Sequence, residues 1–159
     1  NSELEVTPKE GVRIRKRPSD GTTETAATVK VRRGQEYFRQ VVLNNFDGHC
    51  GVCGLAVREL LVASHILPLG KHESERLNVR NGLCLSRLHD AAFDNWLIAF
   101  DDNYRLLLSP KLKKALPRSI IDANFGAFSG EPLKFPEDAV LPDLKFVAAH
   151  RAKWASLSG

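Results

Sequence analysis

Residues 81–96 have the sequence NGLCLSRLHDAAFDNW, in which a short apolar run passes directly into an amphipathic one. Residues 82–86 have the length and apolar character of a buried strand. Residues 88–96 place apolar side chains at helical offsets, which predicts a short helix directly after the strand. The ionisable side chains near the other face of this helix are His89, Asp90 and Asp94.

A second strand and a first helix are predicted upstream. Residues 59–66, ELLVASHI, are short and rich in aliphatic side chains, and a Pro and a Gly follow them, so that His65 lies at the exit of the strand. Residues 71–80 are almost entirely polar and lack periodicity, which predicts a loop long enough to reach across a site. Residues 35–46 carry apolar side chains at helical spacing, and we predict a helix there.

The rest of the chain adds a hairpin and a terminal helix. Residues 97–100 and 104–108 flank Asp101-Asp102-Asn103, a turn signal between two short apolar runs. Five prolines punctuate the following segment, which we expect to be mostly irregular. Residues 143–157 predict a helix. The order helix, strand, loop, strand, helix, hairpin and terminal helix indicates an α+β fold.

The composition is that of one globular domain. The chain has 159 residues, of which 43% are hydrophobic and 26% charged. No apolar run approaches the roughly 20 residues that cross a bilayer, and no signal peptide is visible, so we expect no membrane partner. Three cysteines do not make a disulfide framework and favour a reducing, cytoplasmic location. Because the sequence has no Met and starts at Asn1, we expect a fragment of a longer protein.

Positive charge is concentrated near the N-terminus. The formal net charge is +4, and residues 1–33 hold eight Lys or Arg against five Asp or Glu. One basic cluster lies within residues 13–17 and a second within residues 30–33. A phosphate clamp and a solvated linker are equally consistent with these clusters. We predict that residues 1–33 form a basic arm from an upstream region and that residues 34–159 form the domain.

His65, Asn81 and His89 together carry the clearest chemistry. They lie at the end of one predicted strand, before the next strand, and on the helix that follows it. A hydrolytic nuclease needs a general base for water, a group that holds this base, and a hard cation at the scissile phosphate. A histidine at a strand end suits the base, because its unperturbed pKa of about 6.5 leaves it largely neutral near neutral pH. The helix would supply the cation site.

Five ordered blocks of sequence extend this constellation. They are Arg33-Gly34-Gln35 with Phe38-Arg39, CGVCGL at 50–55, LVASHI at 61–66, NVRNGLCL at 78–85 and LHDAAFD at 88–94. Together they resemble the HNH endonucleases of the ββα-metal (His-Me finger) fold, in particular the branch found in bacterial restriction endonucleases. The resemblance covers residues 32–154 and implies an HNH nuclease core with flanking helices and a hairpin.

The resemblance also implies a role for each of the three residues. His65 is the general base, Asn81 holds the loop and so orients the base, and His89 binds the catalytic divalent metal. Mg or Mn is the expected ion, with Ni or Zn as further candidates.

One departure from the family pattern concerns this metal. Many members have an Asp metal ligand just before the base, where this chain has Ser64, a much weaker ligand for a hard cation. A further oxygen ligand would therefore come from the helix. The local candidates are Asp94, which we prefer, and Asp90.

A second departure concerns structural zinc. Many HNH domains carry two Cys-x-x-Cys pairs around a zinc ion, and this chain has only the first pair, Cys50 and Cys53. The positions of the second pair correspond to Ser86 and Leu88. The incomplete set favours a domain without zinc and leaves a structural zinc on Cys50 and Cys53 open. Cys84 and His49 are the candidates for its remaining ligands.

The function that follows is cleavage of double-stranded DNA by a metal-dependent HNH endonuclease domain, within a larger restriction-type enzyme that has an upstream recognition domain. A single site per chain favours a homodimer for cutting both strands. The candidate DNA-binding residues are Arg32, Arg33, Arg76 and Arg80. The alternatives are a catalytically degenerate DNA-binding module and a zinc-stabilised interaction domain.

Overall fold

The structure is a computed structural model that describes residues 25–68 and 77–157. Most of the predicted basic arm, and Arg76 in the polar loop, lie outside the described residues. No helix within the two described ranges is long and apolar enough to cross a membrane.

Helix α1 spans Ala26–Asn45 and begins nine residues before the helix predicted from the apolar pattern. The Thr25 hydroxyl caps its N-terminus by accepting a hydrogen bond from the Thr28 N–H at 3.2 Å. Only the second half of the helix buries side chains, so the first half has no apolar periodicity from which it could be predicted. The predicted domain boundary at residue 33 falls inside α1, and the division into arm and domain stays a prediction.

Two strands and a helix form the centre of the described structure. Strand β1, Leu61–His65, pairs antiparallel with β2, Gly82–Ser86, and helix α2, Arg87–Asp94, follows β2 without a loop. The observed β2 has the predicted bounds, whereas residues 59 and 60, predicted as strand, belong to a 3-10 turn at Arg58–Leu60. The Ser86 hydroxyl caps α2 by accepting from the His89 N–H at 3.1 Å. The β–β–α order of an HNH core is therefore present.

The remaining elements surround this centre. Strands β3, Ile98–Phe100, and β4, Leu106–Leu108, form the predicted antiparallel hairpin, and α5 spans Leu144–Leu157. The segment predicted as irregular contains two short helices, α3 at Pro110–Lys114 and α4 at Ser119–Asn124. Pro110 occupies the first turn of α3, where a missing N–H costs nothing, so this proline begins a helix instead of preventing one.

The core lies where α1 and α2 pack on the β1–β2 pair and α5 packs on β3. Its largest fully buried side chains include Phe46, Phe93, Phe100, Leu43, Leu61, Leu83, Leu85 and Ile98. Helices and two small antiparallel sheets share this core, which confirms the predicted α+β class.

Gly82 allows α1 to approach the β1–β2 pair. A Cβ atom at this position would lie 2.9 Å from the Phe38 Cζ atom and would overlap the Val42 side chain. Gly82 is also the cross-strand partner of His65. A small residue here therefore brings the aromatic ring of α1 next to the end of β1.

Candidate active site and metal centre

His65 is the last residue of β1, and its imidazole stacks on the ring of Phe38 from α1. The two ring centroids are 3.9 Å apart and the planes differ by 6°. Phe38 is buried, whereas His65 is only partly buried. One face of the imidazole therefore rests on a fixed aromatic surface.

Asn81 holds the chain directly after His65. Its side-chain Oδ1 accepts a hydrogen bond from the Leu67 N–H at 2.9 Å, and its backbone carbonyl accepts from the Ile66 N–H at 2.9 Å. Asn81 is fully buried, so these bonds are protected from water. Together with the pairing of β1 and β2, they fix the backbone on both sides of His65.

His89, in the first turn of α2, is almost fully buried, and both of its ring nitrogens have partners. Nε2 lies 2.7 Å from the carbonyl oxygen of Asn124, and because a carbonyl only accepts, Nε2 carries the proton and donates. In the neutral ring, Nδ1 then carries the lone pair and accepts a hydrogen bond. Nδ1 lies 2.8 Å from the Ser86 Oγ atom and 3.8 Å from the Cys50 Sγ atom.

The two cysteines come together through a tight turn that precedes β1. The Cys50 N–H donates to the Leu55 carbonyl at 2.9 Å, and the Gly54 N–H donates to the Cys50 carbonyl at 2.8 Å. Gly54 has a φ of +75°, in the left-handed region that favours glycine. The Gly51 N–H donates to the Cys84 carbonyl at 2.9 Å and ties this turn to β2.

Cys50, Cys53 and His89 form a group of potential metal ligands, with all three ligand atoms within 4.8 Å of one another. A hydrogen bond from the Cys53 thiol holds the pKa of Cys50 well below its usual value, and the same contact, together with burial, raises the pKa of Cys53. One sulfur is thus prepared as a thiolate, the form that binds metals.

This donor set fits zinc. Two sulfurs and one imidazole are ligands that zinc prefers, and His89 Nδ1 lies 3.8 Å from the Cys50 Sγ atom. A metal-bound histidine usually donates its other N–H to a carbonyl or carboxylate, and the Asn124 carbonyl already serves this purpose.

The ligands that share a metal with His89 stay a prediction. The prediction grouped His89 with Asp94 or Asp90, but in the described part of the chain neither Asp belongs to a group of three or more potential metal ligands. Asp90 is partly buried and Asp94 exposed on α2. The predicted completion of the zinc site also needs correction, because the third ligand atom belongs to His89.

Neither of the predicted zinc completions takes part in this group. Cys84 is fully buried in the core, where burial raises its pKa to about 12, and its sulfur is outside the group. His49 is exposed, and its Nδ1 lies 2.7 Å from the carbonyl oxygen of Asp47. The sequence signal for this contact is the helix N-cap at Ser86. A helix that begins there has His89 in its first turn, close to Cys50.

The other residues singled out from the sequence occupy varied positions. Ser64 is buried, and its hydroxyl has no hydrogen-bond partner within the described ranges. Arg32 and Arg33 lie exposed on α1, and Arg80 is exposed just before Asn81. Contact of these arginines with DNA stays a prediction.

Comparison with known proteins gives a family for the central segment. Residues 50–101 match the family model described as HNH endonuclease. No curated protein matches the chain. Among solved structures, the chain is similar to one titled "Modification dependent TagI restriction endonuclease", at 19% identity and a TM-score of 0.45, over 84% of this chain and 39% of that one. The matched segment contains the cysteine pair, His65, Asn81 and the β1–β2–α2 unit, and over this segment the chain is similar to the HNH endonuclease family.

Proposed function

We propose that this chain is the metal-dependent nuclease domain of a larger restriction-type enzyme, and that it hydrolyses phosphodiester bonds in double-stranded DNA with His65 as the general base. The observation that carries the proposal is the support of His65 at the end of β1. Phe38 stacks on its ring, and Asn81 holds the two residues that follow it. A general base must be held in one geometry, and these contacts supply it.

In this mechanism His65 takes the proton of the attacking water. The ring is partly buried, so one side can face solvent and substrate while the other rests on Phe38. A divalent cation, when bound, would stabilise the charge that develops on the scissile phosphate. Among the described side chains, the carboxylates of α2 suit a hard cation best, and we assign this role to Asp94 or Asp90.

His89 has a structural role in this proposal. Zinc bound by Cys50, Cys53 and His89 would join the turn before β1 to the start of α2. The same ring nitrogen cannot also hold the catalytic cation, and the other nitrogen is bonded to the Asn124 carbonyl. His65 and His89 lie toward opposite ends of β2, which are about 13 Å apart for a five-residue strand.

DNA binding in this proposal is mainly electrostatic. Arg32, Arg33 and Arg80 are exposed and contribute positive charge for backbone phosphates. Affinity should therefore fall steeply as salt increases. The recognition domain upstream, and a homodimer in which each protomer cuts one strand, belong to the same proposal.

The test is cleavage of supercoiled plasmid by the full chain in EDTA and with Mg, Mn, Ni or Zn, with His65→Ala and His49→Ala in parallel. We expect cleavage that needs added metal and that falls by about 100-fold or more in His65→Ala, the usual contribution of a general base. His49 is an exposed histidine and serves as the matched control, with activity close to wild type.

Two outcomes would overturn the proposal. Cleavage by His65→Ala at the wild-type rate, at equal DNA occupancy, would remove His65 from the mechanism. Binding of DNA without cleavage by the wild type under any of the metals would support the degenerate DNA-binding module instead.

A further inference from the structure

A cavity that opens to the surface adjoins Cys53 and His89 of the metal-ligand group. Its volume is about 310 Å³, and Cys53, Ser86 and His89 line it. Cys50 is fully buried and does not line the cavity. The group therefore has a closed side, at Cys50, and a side that is reached from solvent.

We infer that a metal bound by Cys50, Cys53 and His89 keeps an open fourth coordination position that takes a small thiolate from solvent through this cavity. This inference rests on the zinc site of the proposed function and does not depend on nuclease activity. Within residues 25–68 and 77–157 the group supplies three ligands. Zinc is generally four-coordinate, with solvent or an external ligand in the position that the protein leaves open.

Ser86 lines the cavity beside His89, but its hydroxyl already makes two hydrogen bonds. Its oxygen accepts from the His89 N–H at 3.1 Å as the N-cap of α2, and it lies 2.8 Å from His89 Nδ1, to which it donates until a metal takes that nitrogen. A neutral hydroxyl is also a poor ligand for a metal that already has two thiolates, because zinc in such sites favours sulfur and nitrogen. Ligation by Ser86 would give up the cap and gain only a weak bond.

The cavity walls indicate which external ligand fits. Leu60 and Leu88 make part of the wall apolar, and Arg87 adds a positive charge. Two thiolates neutralise the charge of the zinc ion, so Arg87 leaves the cavity positive and favourable for an anion. A small thiolate combines negative charge, a short apolar body and a soft donor atom. On binding, the thiol releases its proton to solvent and a water molecule leaves the metal, with no change of oxidation state.

The experiment uses the full chain with cobalt in place of zinc, because thiolate-to-cobalt absorption reports the number of sulfur ligands. Titration with 2-mercaptoethanol should raise this absorption by about half, since a third sulfur joins the two from the chain. Ethylene glycol, which has the same size without the thiol, should leave the spectrum unchanged.

Two variants of Ser86 sharpen the test. Ser86→Cys supplies a third sulfur from the chain, so its spectrum should start at the higher intensity and should not respond to 2-mercaptoethanol. Ser86→Ala removes the hydroxyl, and its spectrum should match that of the wild type and respond in the same way.

The outcomes separate the inference from the site itself. A cobalt spectrum that ignores 2-mercaptoethanol, or one that changes in Ser86→Ala, would show a closed site and overturn the inference while the metal site stands. Failure of the wild type to bind cobalt or zinc would overturn both the metal site and the open position. Plasmid cleavage dependent on His65 would be untouched by either result.

Discussion

The two ends of the β1–β2 pair hold two histidines of the same motif in opposite environments. His65, at the end where it faces Gly82, is partly exposed, and Phe38 supports its ring. His89, close to Ser86 at the other end, is almost fully buried, and both of its ring nitrogens have partners. A residue that must exchange protons with substrate needs access, and a residue that joins two segments needs fixed bonds. The difference in burial therefore separates a proposed catalytic histidine from a proposed structural one.

The largest expected effect on stability comes from replacing His89, at the Ser86 end of the β1–β2 pair. His89→Ala should lose zinc and lower the free energy of unfolding by about 4 kcal/mol or more, because a structural metal contributes its binding energy to folding. His65→Ala removes no ligand of the proposed zinc site and should lower the free energy of unfolding by only about 1 kcal/mol, the usual value of one ring contact. Urea denaturation of both variants, with the zinc content of each, measures the contrast. Equal destabilisation by the two substitutions would contradict it.

A third histidine, His150, shows how burial lowers the pKa of an imidazole. His150 on α5 is buried between Phe93 and Trp96, and this burial lowers its pKa to about 4. The unfolded chain, with a pKa of about 6.5 at this residue, binds a proton more readily than the folded one. Stability is therefore complete above about pH 6.5 and should fall by about 3 kcal/mol as the pH drops toward 4.

Urea denaturation between pH 4 and pH 7 checks this loss. His150→Phe keeps the ring contacts and removes the titrating group, so its stability should vary less over the same range. A variant with the same pH dependence as the wild type would assign the loss to other groups.

Asn81→Ala should have the next largest effect. It leaves the buried Leu67 N–H without its acceptor, at a cost of about 2 kcal/mol, and releases the chain after His65. Cleavage should fall along with stability. Asn78→Ala is the control, because it removes the Asn78 Oδ1 cap of the 3-10 turn at Val79–Asn81 and keeps the Asn81 amide. If the two variants cut DNA equally well, Asn81 does not orient the base.

Phe38→Leu should have the smallest effect, and it tests whether the Phe38 ring positions His65. Leucine keeps an apolar side chain under His65 but removes the stacked ring, and we expect kcat to fall by about tenfold with little change in KM, a loss of about 1.4 kcal/mol. The C–H protons of His65 should lose the ring-current shift of the stacked phenyl group in NMR spectra. A lost ring-current shift with unchanged kcat would leave Phe38 without a positioning role.

The sequence predicted the centre of the fold well because local patterns determine it. The bounds of β2 agree with the apolar run, and α2 begins one residue before the predicted start, since the Ser86 cap is encoded next to the strand. The first half of α1 could not be predicted, because none of its side chains is buried. Helix α3 could not be predicted either, because proline clusters usually indicate irregular backbone, whereas Pro110 lies in the first turn of this helix.

The candidate site was harder to predict, because its members come from distant segments. Asn124, 35 residues after His89, supplies the carbonyl that sets the ring tautomer, and nothing in the local sequence indicates this contact. The cysteine pair was visible, but its third partner was already assigned to the catalytic metal by the family pattern. Only the tertiary arrangement joins His89 to Cys50.

The most direct test of the division between the two ends is plasmid cleavage by His89→Cys at a measured zinc content. Cysteine can replace histidine as a zinc ligand but is a poor ligand for Mg or Mn. We expect the variant to retain one zinc ion per chain and to cut DNA at a rate within about threefold of the wild type, because the substitution lies at the other end of β2 from His65. Retained zinc with abolished cleavage would place His89 at the catalytic metal and contradict the account.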